Sequence, residues 1–79
     1  MEIHKSAHRH DVRDNDMLHA VDNSLLVDDL GEDPDRWLVI GPDRAGNLLE
    51  VIVLITDGGT QMIIHAMPLR PIYRRLLDS

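Results

Sequence analysis

The segment LLEVIVLI at residues 48–55 limits the possible folds of this chain more than any other feature. Its side chains are apolar on both alternating faces of an extended strand, with Glu50 as the exception. A strand of this kind is covered on both sides, so we expect it at the centre of a sheet. The Asp-Gly-Gly sequence at 57–59 predicts a tight hairpin turn after it. The segment QMIIHA at 61–66 is then its antiparallel partner.

Glu50 is the unusual residue of this central strand. A carboxylate among apolar side chains requires a cation or contact with solvent. Arg36 and Arg44 flank the same region of the sequence, and we expect one of them to be its partner. A structural ion pair is the favoured interpretation, and a catalytic role for Glu50 is the alternative.

The part of the chain before this strand has first helical and then extended patterning. The helical spacing of apolar residues is weak over 3–10 and clearer over 12–25, where Asp14 is the expected N-cap. Two strands follow, at 25–30 and 37–41. The strands are separated by a turn rich in glycine, proline and acidic residues.

The part of the chain after the hairpin predicts a short helix. Pro71 suits a first helical turn, and apolar residues recur at helical spacing over 69–77. Together these elements predict one domain over residues 1–79 with an α+β fold, made of N-terminal helices, a four-stranded antiparallel sheet and a short C-terminal helix. A chain of this size buries only about 60% of its unfolded surface. We therefore expect a homodimer, or a partner that covers one face of the sheet.

Charge is distributed unevenly along the chain. The 79 residues include 8 Lys+Arg and 14 Asp+Glu, which gives a net charge of −6. Residues 11–35 alone sum to −8, whereas residues 1–10 and 65–79 sum to +1 and +2. Two basic ends beside an acidic segment allow a polyanion to bind locally. An ordinary solvated acidic surface is the alternative.

The compartment is predicted from what the composition lacks. There is no cysteine, which excludes disulfides and thiolate metal sites and fits a reducing compartment. No apolar run reaches the roughly 18 residues that a membrane-spanning helix needs. We therefore expect a cytoplasmic protein that does not bind membranes.

Three stretches of the chain resemble the BrnT-type toxins of type II toxin–antitoxin modules, in order and spacing. They are HDVRDNDMLHAVDNSLLV, DPDRWLVIGPDRAGNLLEVIVL and IIHAMPLRPIYRRL. The resemblance implies a RelE-like ribonuclease fold and an endoribonuclease that cleaves RNA without a metal or other cofactor and is neutralised by a cognate antitoxin. His65 stands where the family has serine, and Met67 stands where it has the following arginine. A catalytically silent protein- or RNA-binding module of the same fold is the alternative.

His65 is the candidate for proton transfer in such a reaction. When a 2′-hydroxyl attacks the adjacent phosphate, one group must accept the hydroxyl proton and another must protonate the leaving oxygen. Imidazole is the side chain best suited to both steps near neutral pH. His65 is predicted at the end of the last strand, close to the basic helix. A histidine that only packs at a strand end is the alternative.

Arginines near His65 are the candidates for stabilising the phosphorane. Arg70 and Arg74 lie one helical turn apart, and guanidinium groups bind phosphate oxygens well. Further RNA contacts are expected from the basic ends of the chain, at Lys5, Arg9, His10 and Arg75. A solvated helix face is the alternative for these arginines. His4 and His8 have the i, i+4 spacing of a metal clamp, but two ligands make a weak site, so we expect no metal.

Overall fold

The chain has an α+β fold, as the sequence predicts, in a computed structural model that describes residues 1–78. The five strands are β1 (Glu2–Ile3), β2 (Leu26–Gly31), β3 (Asp35–Pro42), β4 (Leu48–Ile55) and β5 (Gln61–Pro68). The helices are a 3-10 helix (Lys5–His10) and the α-helices α1 (Asp14–Asp22) and α2 (Pro71–Arg74). Within these described residues, no helix has the length and apolarity needed to cross a bilayer.

All five strands belong to one mixed sheet in the order β1-β5-β4-β3-β2. β4 is the central strand, as predicted, and it pairs antiparallel with both β3 and β5. β1 pairs in parallel with β5, with Glu2 opposite Met62 and Ile3 opposite Ile63. The prediction of a four-stranded antiparallel sheet is therefore wrong in this respect, because a fifth, parallel strand lies at one edge.

The predicted pair of N-terminal helices is also wrong. β1 and the 3-10 helix come first, and α1 is the one α-helix between β1 and β2. Two hydrogen bonds hold this segment against β5: the His4 N–H donates to the carbonyl of Ile63 at 2.8 Å, and the Ser6 hydroxyl donates to the carbonyl of Ile64 at 2.7 Å. These contacts satisfy backbone groups at the sheet edge, and they favour an extended start over a helical one. Arg13, and not Asp14, is the N-cap of α1.

α1 and the 3-10 helix cover one face of the sheet, called the helix face below. Its buried core contains Ala7, Met17, Ala20, Val39, Leu49, Val51, Val53, Ile63 and Ala66. Gly41 lies on the same face, two residues along β3 from Val39. A Cβ atom added to Gly41 would lie only 2.1 Å from the carbonyl oxygen of Ala20. α1 can therefore approach β3 this closely only because residue 41 has no side chain.

The opposite face, called the site face below, carries the alternate residues of the same strands. Cross-strand pairing places Leu38, Ile40, Glu50, Ile52 and His65 on this face. Leu38 and Ile40 are fully buried. The chain that follows β5 crosses this face, since Arg70 contacts Glu50 there. α2 is confined to Pro71–Arg74 and is shorter than the predicted apolar stripe.

Gly41→Ala should destabilise the protein by about 1–3 kcal/mol, the usual cost of adding atoms to a filled core. The added methyl group would meet backbone atoms of α1, which cannot rotate away as a side chain can. Gly58→Ala is the matched control, because the nearest atom to its added Cβ is the Thr56 hydroxyl at 3.9 Å. Urea unfolding of both variants measures the difference. Equal stability of the two variants would contradict the close packing of α1 on β3.

Candidate functional site

The candidate site is built around the carboxylate of Glu50 in the central strand. Glu50 lies opposite Ile40 of β3 and Met67 of β5, and it is fully buried. Burying an ionised carboxylate is costly unless charged or polar partners surround it. The neighbouring side chains must therefore supply hydrogen bonds and positive charge to this carboxylate.

Four hydrogen bonds satisfy the Glu50 carboxylate. The Arg70 guanidinium binds both oxygens, with Nε 2.9 Å from Oε1 and Nη2 2.7 Å from Oε2. The backbone N–H of Arg70 also donates to Oε1, at 3.0 Å. His65 contributes the fourth bond, with Nε2 3.0 Å from Oε2. This two-pronged arginine geometry is among the strongest ways to hold a carboxylate in a fixed orientation.

These contacts keep Glu50 ionised despite its burial. Burial by itself raises the pKa of a carboxyl group, but the hydrogen bonds from Arg70 and His65 outweigh it and hold the pKa of Glu50 below its ordinary value. The same pairing raises the pKa of Arg70. The Arg70 guanidinium also lies over the Tyr73 ring, 5.5 Å from the ring centroid, within the range of a cation–π contact.

A β-bulge places His65 on the site face. In the β4–β5 pairing, Val53 lies opposite Ile63 and Ile52 lies opposite His65, so Ile64 is an extra residue. Residues 63 and 65 would share a face in a regular strand. With the bulge, Ile63 enters the core of the helix face and His65 points toward Glu50 on the other side.

A second histidine lies against His65. The ring centroids of His10 and His65 are 5.7 Å apart, and the ring planes meet at 75°. His10 comes from the 3-10 helix, which lies beside β5, whereas His65 comes from β5 itself. The His65 side chain is 23% exposed and His10 is exposed, so both imidazoles have access to solvent. The fold thus pairs two titratable rings beside a buried carboxylate.

The arginines expected to neutralise Glu50 bind elsewhere, so that prediction is wrong. Arg44 pairs with Asp16 of α1, at 2.9 Å, and this contact lowers the pKa of Asp16. The Arg36 guanidinium donates to the carbonyl of Leu30 at 3.4 Å. The partner of Glu50 is Arg70, which had been predicted to bind phosphate.

The remaining predicted residues lie on the surface of the protein. Lys5, Arg9, Arg74 and Arg75 are exposed, and none of them hydrogen-bonds to Glu50 in residues 1–78. His4 binds Ser6 at 2.9 Å, and His8 forms a hydrogen bond with Asp14. Over the described part of the chain, no group of three or more His, Cys, Asp or Glu residues is arranged to hold a metal ion.

The sequence predicted His65 and Arg70 as candidate site residues but did not predict that both contact Glu50. The signal was present, because Glu50 is the only charged residue in an otherwise apolar strand. The contact between His10 and His65 had no local signal, since 55 positions separate the two residues. Comparisons with protein-family models, curated proteins and solved structures found no match for this chain.

Glu50→Gln should destabilise the folded protein at neutral pH by about 1.5–3 kcal/mol, the usual contribution of hydrogen bonds to a charged group. Because the pKa of Glu50 is lowered by folding, its contribution is complete above the pKa of the unfolded chain. The contribution is lost as the pH falls through the lower pKa of the folded protein. The wild-type and variant stabilities should therefore converge in acid, as measured by urea unfolding between about pH 3 and 7.

Glu32→Gln is the matched control, since Glu32 is exposed in the turn between β2 and β3. It should change stability by less than about 0.5 kcal/mol. A constant difference between Glu50→Gln and wild type at all pH values would contradict an ionised, hydrogen-bonded Glu50.

Proposed function

We propose that this protein is a BrnT-type toxin with a RelE-like fold, which cleaves RNA without a metal and is neutralised by a cognate antitoxin. The observation that supports this most is the contact of His65 with both Glu50 and His10 on the site face. Two imidazoles can supply the base and the acid that cleavage by an internal 2′-hydroxyl needs, and a carboxylate can orient one of them.

Glu50 determines which nitrogen of His65 can act as a base. An ionised carboxylate only accepts hydrogen bonds, so His65 Nε2 must carry the proton that it shares with Glu50. The neutral ring then has its lone pair on Nδ1. Nδ1 is the atom that takes the proton from the 2′-hydroxyl, and the Glu50 charge stabilises the resulting imidazolium. Glu50 is a positioning residue in this scheme.

His10 supplies the second proton-transfer group. Cleavage requires an acid for the leaving 5′-oxygen as well as a base for the attacking hydroxyl. His10 is exposed, and its ring centroid lies 5.7 Å from that of His65. In its protonated form His10 donates to the leaving oxygen while His65 accepts from the nucleophile. The products are a 2′,3′-cyclic phosphate and a free 5′-hydroxyl.

Arg70 can bind phosphate only through the hydrogen-bond donors that Glu50 does not use. Two of its five N–H donors and its own charge are directed at Glu50. Three N–H donors remain, and 47% of the side chain is exposed. Arg70 therefore orients a phosphate oxygen by hydrogen bonding, while the exposed charges of Arg74, at the end of α2, and of Arg75, its C-cap, attract the polyanion.

The neutralised charge of Arg70 also favours a second candidate, a catalytically silent module of the same fold. Met67 lies directly opposite Glu50 in β5, so the family's arginine is replaced at the centre of the network. If the cluster serves only to hold the C-terminal segment on the sheet, RNA or protein can bind without being cleaved.

His65→Ala should reduce RNA cleavage by about two orders of magnitude or more, since each proton transfer contributes roughly 10²–10⁴-fold. His10→Ala should have a similar effect, because it removes the second group. Cleavage of an end-labelled RNA by purified protein in a chelator measures both. His8→Ala is the control, because His8 is an exposed histidine of the same 3-10 helix whose side chain contacts Asp14 and not the Glu50 network.

Wild-type protein that cleaves no RNA would favour the silent module. Cleavage by His65→Ala at the wild-type rate would overturn the assignment of the base. Cleavage that a chelator abolishes would overturn the metal-free mechanism.

Arg74→Ala combined with Arg75→Ala should weaken RNA binding and flatten its dependence on salt. Each lost phosphate contact releases about one counterion fewer, so the slope of log K against log salt should fall by about 2. Filter binding at several salt concentrations measures the slope. Arg13→Ala is a suitable control, since it removes an exposed arginine at the start of α1. An unchanged slope would assign both C-terminal arginines to a solvated surface.

A further inference from the structure

An apolar groove lies on the helix face of the sheet, beside α1. It has a volume of about 320 Å³, and its lining includes Val21, Val27, Trp37, Val39, Val53 and Ile55. Val21 belongs to α1, and the others come from three neighbouring strands, so the groove runs across the strands. A second helix packed next to α1 on the same face would occupy this groove.

The groove is open because α1 is too short to cover the helix face. α1 has nine residues, about 14 Å of helix, and its buried contacts are made by Met17 and Ala20. Val27, at the uncovered end, is 54% exposed. The groove is therefore a concave apolar surface that can receive the apolar side chains of another element.

The rim of the groove is acidic. Asp29 lies directly opposite Trp37, and Asp35 lies opposite Ile55, so both carboxylates are on the helix face. Asp22 follows Val21 at the end of α1. Residues 22–35 contain six acidic residues and no Lys, Arg or His. An apolar floor with an anionic rim is complementary to an apolar ligand surface flanked by cations.

We propose that this groove binds an amphipathic helix of a partner protein, with an apolar stripe against Trp37 and Val27 and lysines or arginines against the acidic rim. A helix fits better than a strand, because an added strand hydrogen-bonds to a sheet edge and not to a sheet face. A small molecule fits less well, because among the described lining residues only Gln61 offers a polar side chain. A second copy of this groove would bring like charges together.

The proposed partner does not compete with the histidine site. Val39 and Val53 of the groove are on the helix face, whereas Glu50 and His65 are on the site face. A helix bound in the groove leaves the two histidines open to solvent. The proposal is therefore independent of RNA cleavage, and its test uses no RNA.

A designed peptide provides the probe. We expect an 18-residue peptide of leucine and lysine, with leucine at i, i+3, i+4 and i+7, to bind the full chain. Trp37 is the only tryptophan of the protein and lines the groove, so its fluorescence reports binding directly. A peptide with glutamate in place of lysine should bind at least about tenfold more weakly, as should a lysine peptide shuffled to remove the apolar stripe.

Two substitutions of equal charge locate the site. Val27→Lys places a cation on the groove floor and should weaken peptide binding by about tenfold or more. Ile72→Lys adds the same charge at a similarly exposed apolar residue, 66% exposed against 54% for Val27, but on α2. It should leave binding unchanged. Amide shifts on peptide addition should concentrate at β2, β3 and α1, which tests the location without any substitution.

Three results would overturn the proposal. The first is an affinity difference of less than twofold between the lysine and glutamate peptides, and the second is equal binding of the lysine peptide by Val27→Lys and Ile72→Lys. Sedimentation could also reveal a dimer that Val27→Lys dissociates, in which case the occupant is a second copy of this chain.

Discussion

A single ionised carboxylate at the centre of the sheet determines much of this structure. Glu50 is fully buried in the central strand, and it is stabilised only because Arg70 and His65 both reach it. Arg70 comes from the segment after β5, so the same contact holds the C-terminal part of the chain on the sheet. Because a buried charge needs partners, Glu50 fixes the positions of Arg70, of His65 and of the start of α2.

Much of the sheet could be predicted from local patterns. The range of β4 follows from its continuous apolar run, and the hairpin to β5 follows from Asp-Gly-Gly, because both signals act over a few neighbouring residues. β1 could not be predicted, since a strand of two residues has no periodicity. The apolar spacing of the C-terminal segment predicted too long a helix. α2 ends at Arg74, although the spacing continues to Leu77.

The partner of Glu50 could not be predicted because strand register was unknown. Arg36 lies opposite Leu54, four residues along β4 from Glu50, which is about 13 Å of extended chain. Arg70 is more distant in the sequence but returns over the site face at Glu50. The contact between His10 and His65 depends on the docking of the 3-10 helix beside β5, where Ser6 binds the carbonyl of Ile64. Both contacts join residues that are distant in the sequence, so local patterns do not predict them.

The extra residue at Ile64 has a consequence for how β5 can diverge among related sequences. The alternation of side chains between the two faces shifts by one residue at the bulge. Ile63 on one side of it therefore faces the core, and His65 on the other side faces the site. Substitutions that repack the core and substitutions that alter the chemistry of the site therefore fall at separate positions. Deleting Ile64 would remove the bulge and still leave Ile63 and His65 on opposite faces, because adjacent residues of a regular strand alternate. What the extra residue adds to the eight residues of β5 is a backbone carbonyl, and this carbonyl accepts the Ser6 hydrogen bond that holds the 3-10 helix of His10 beside the strand.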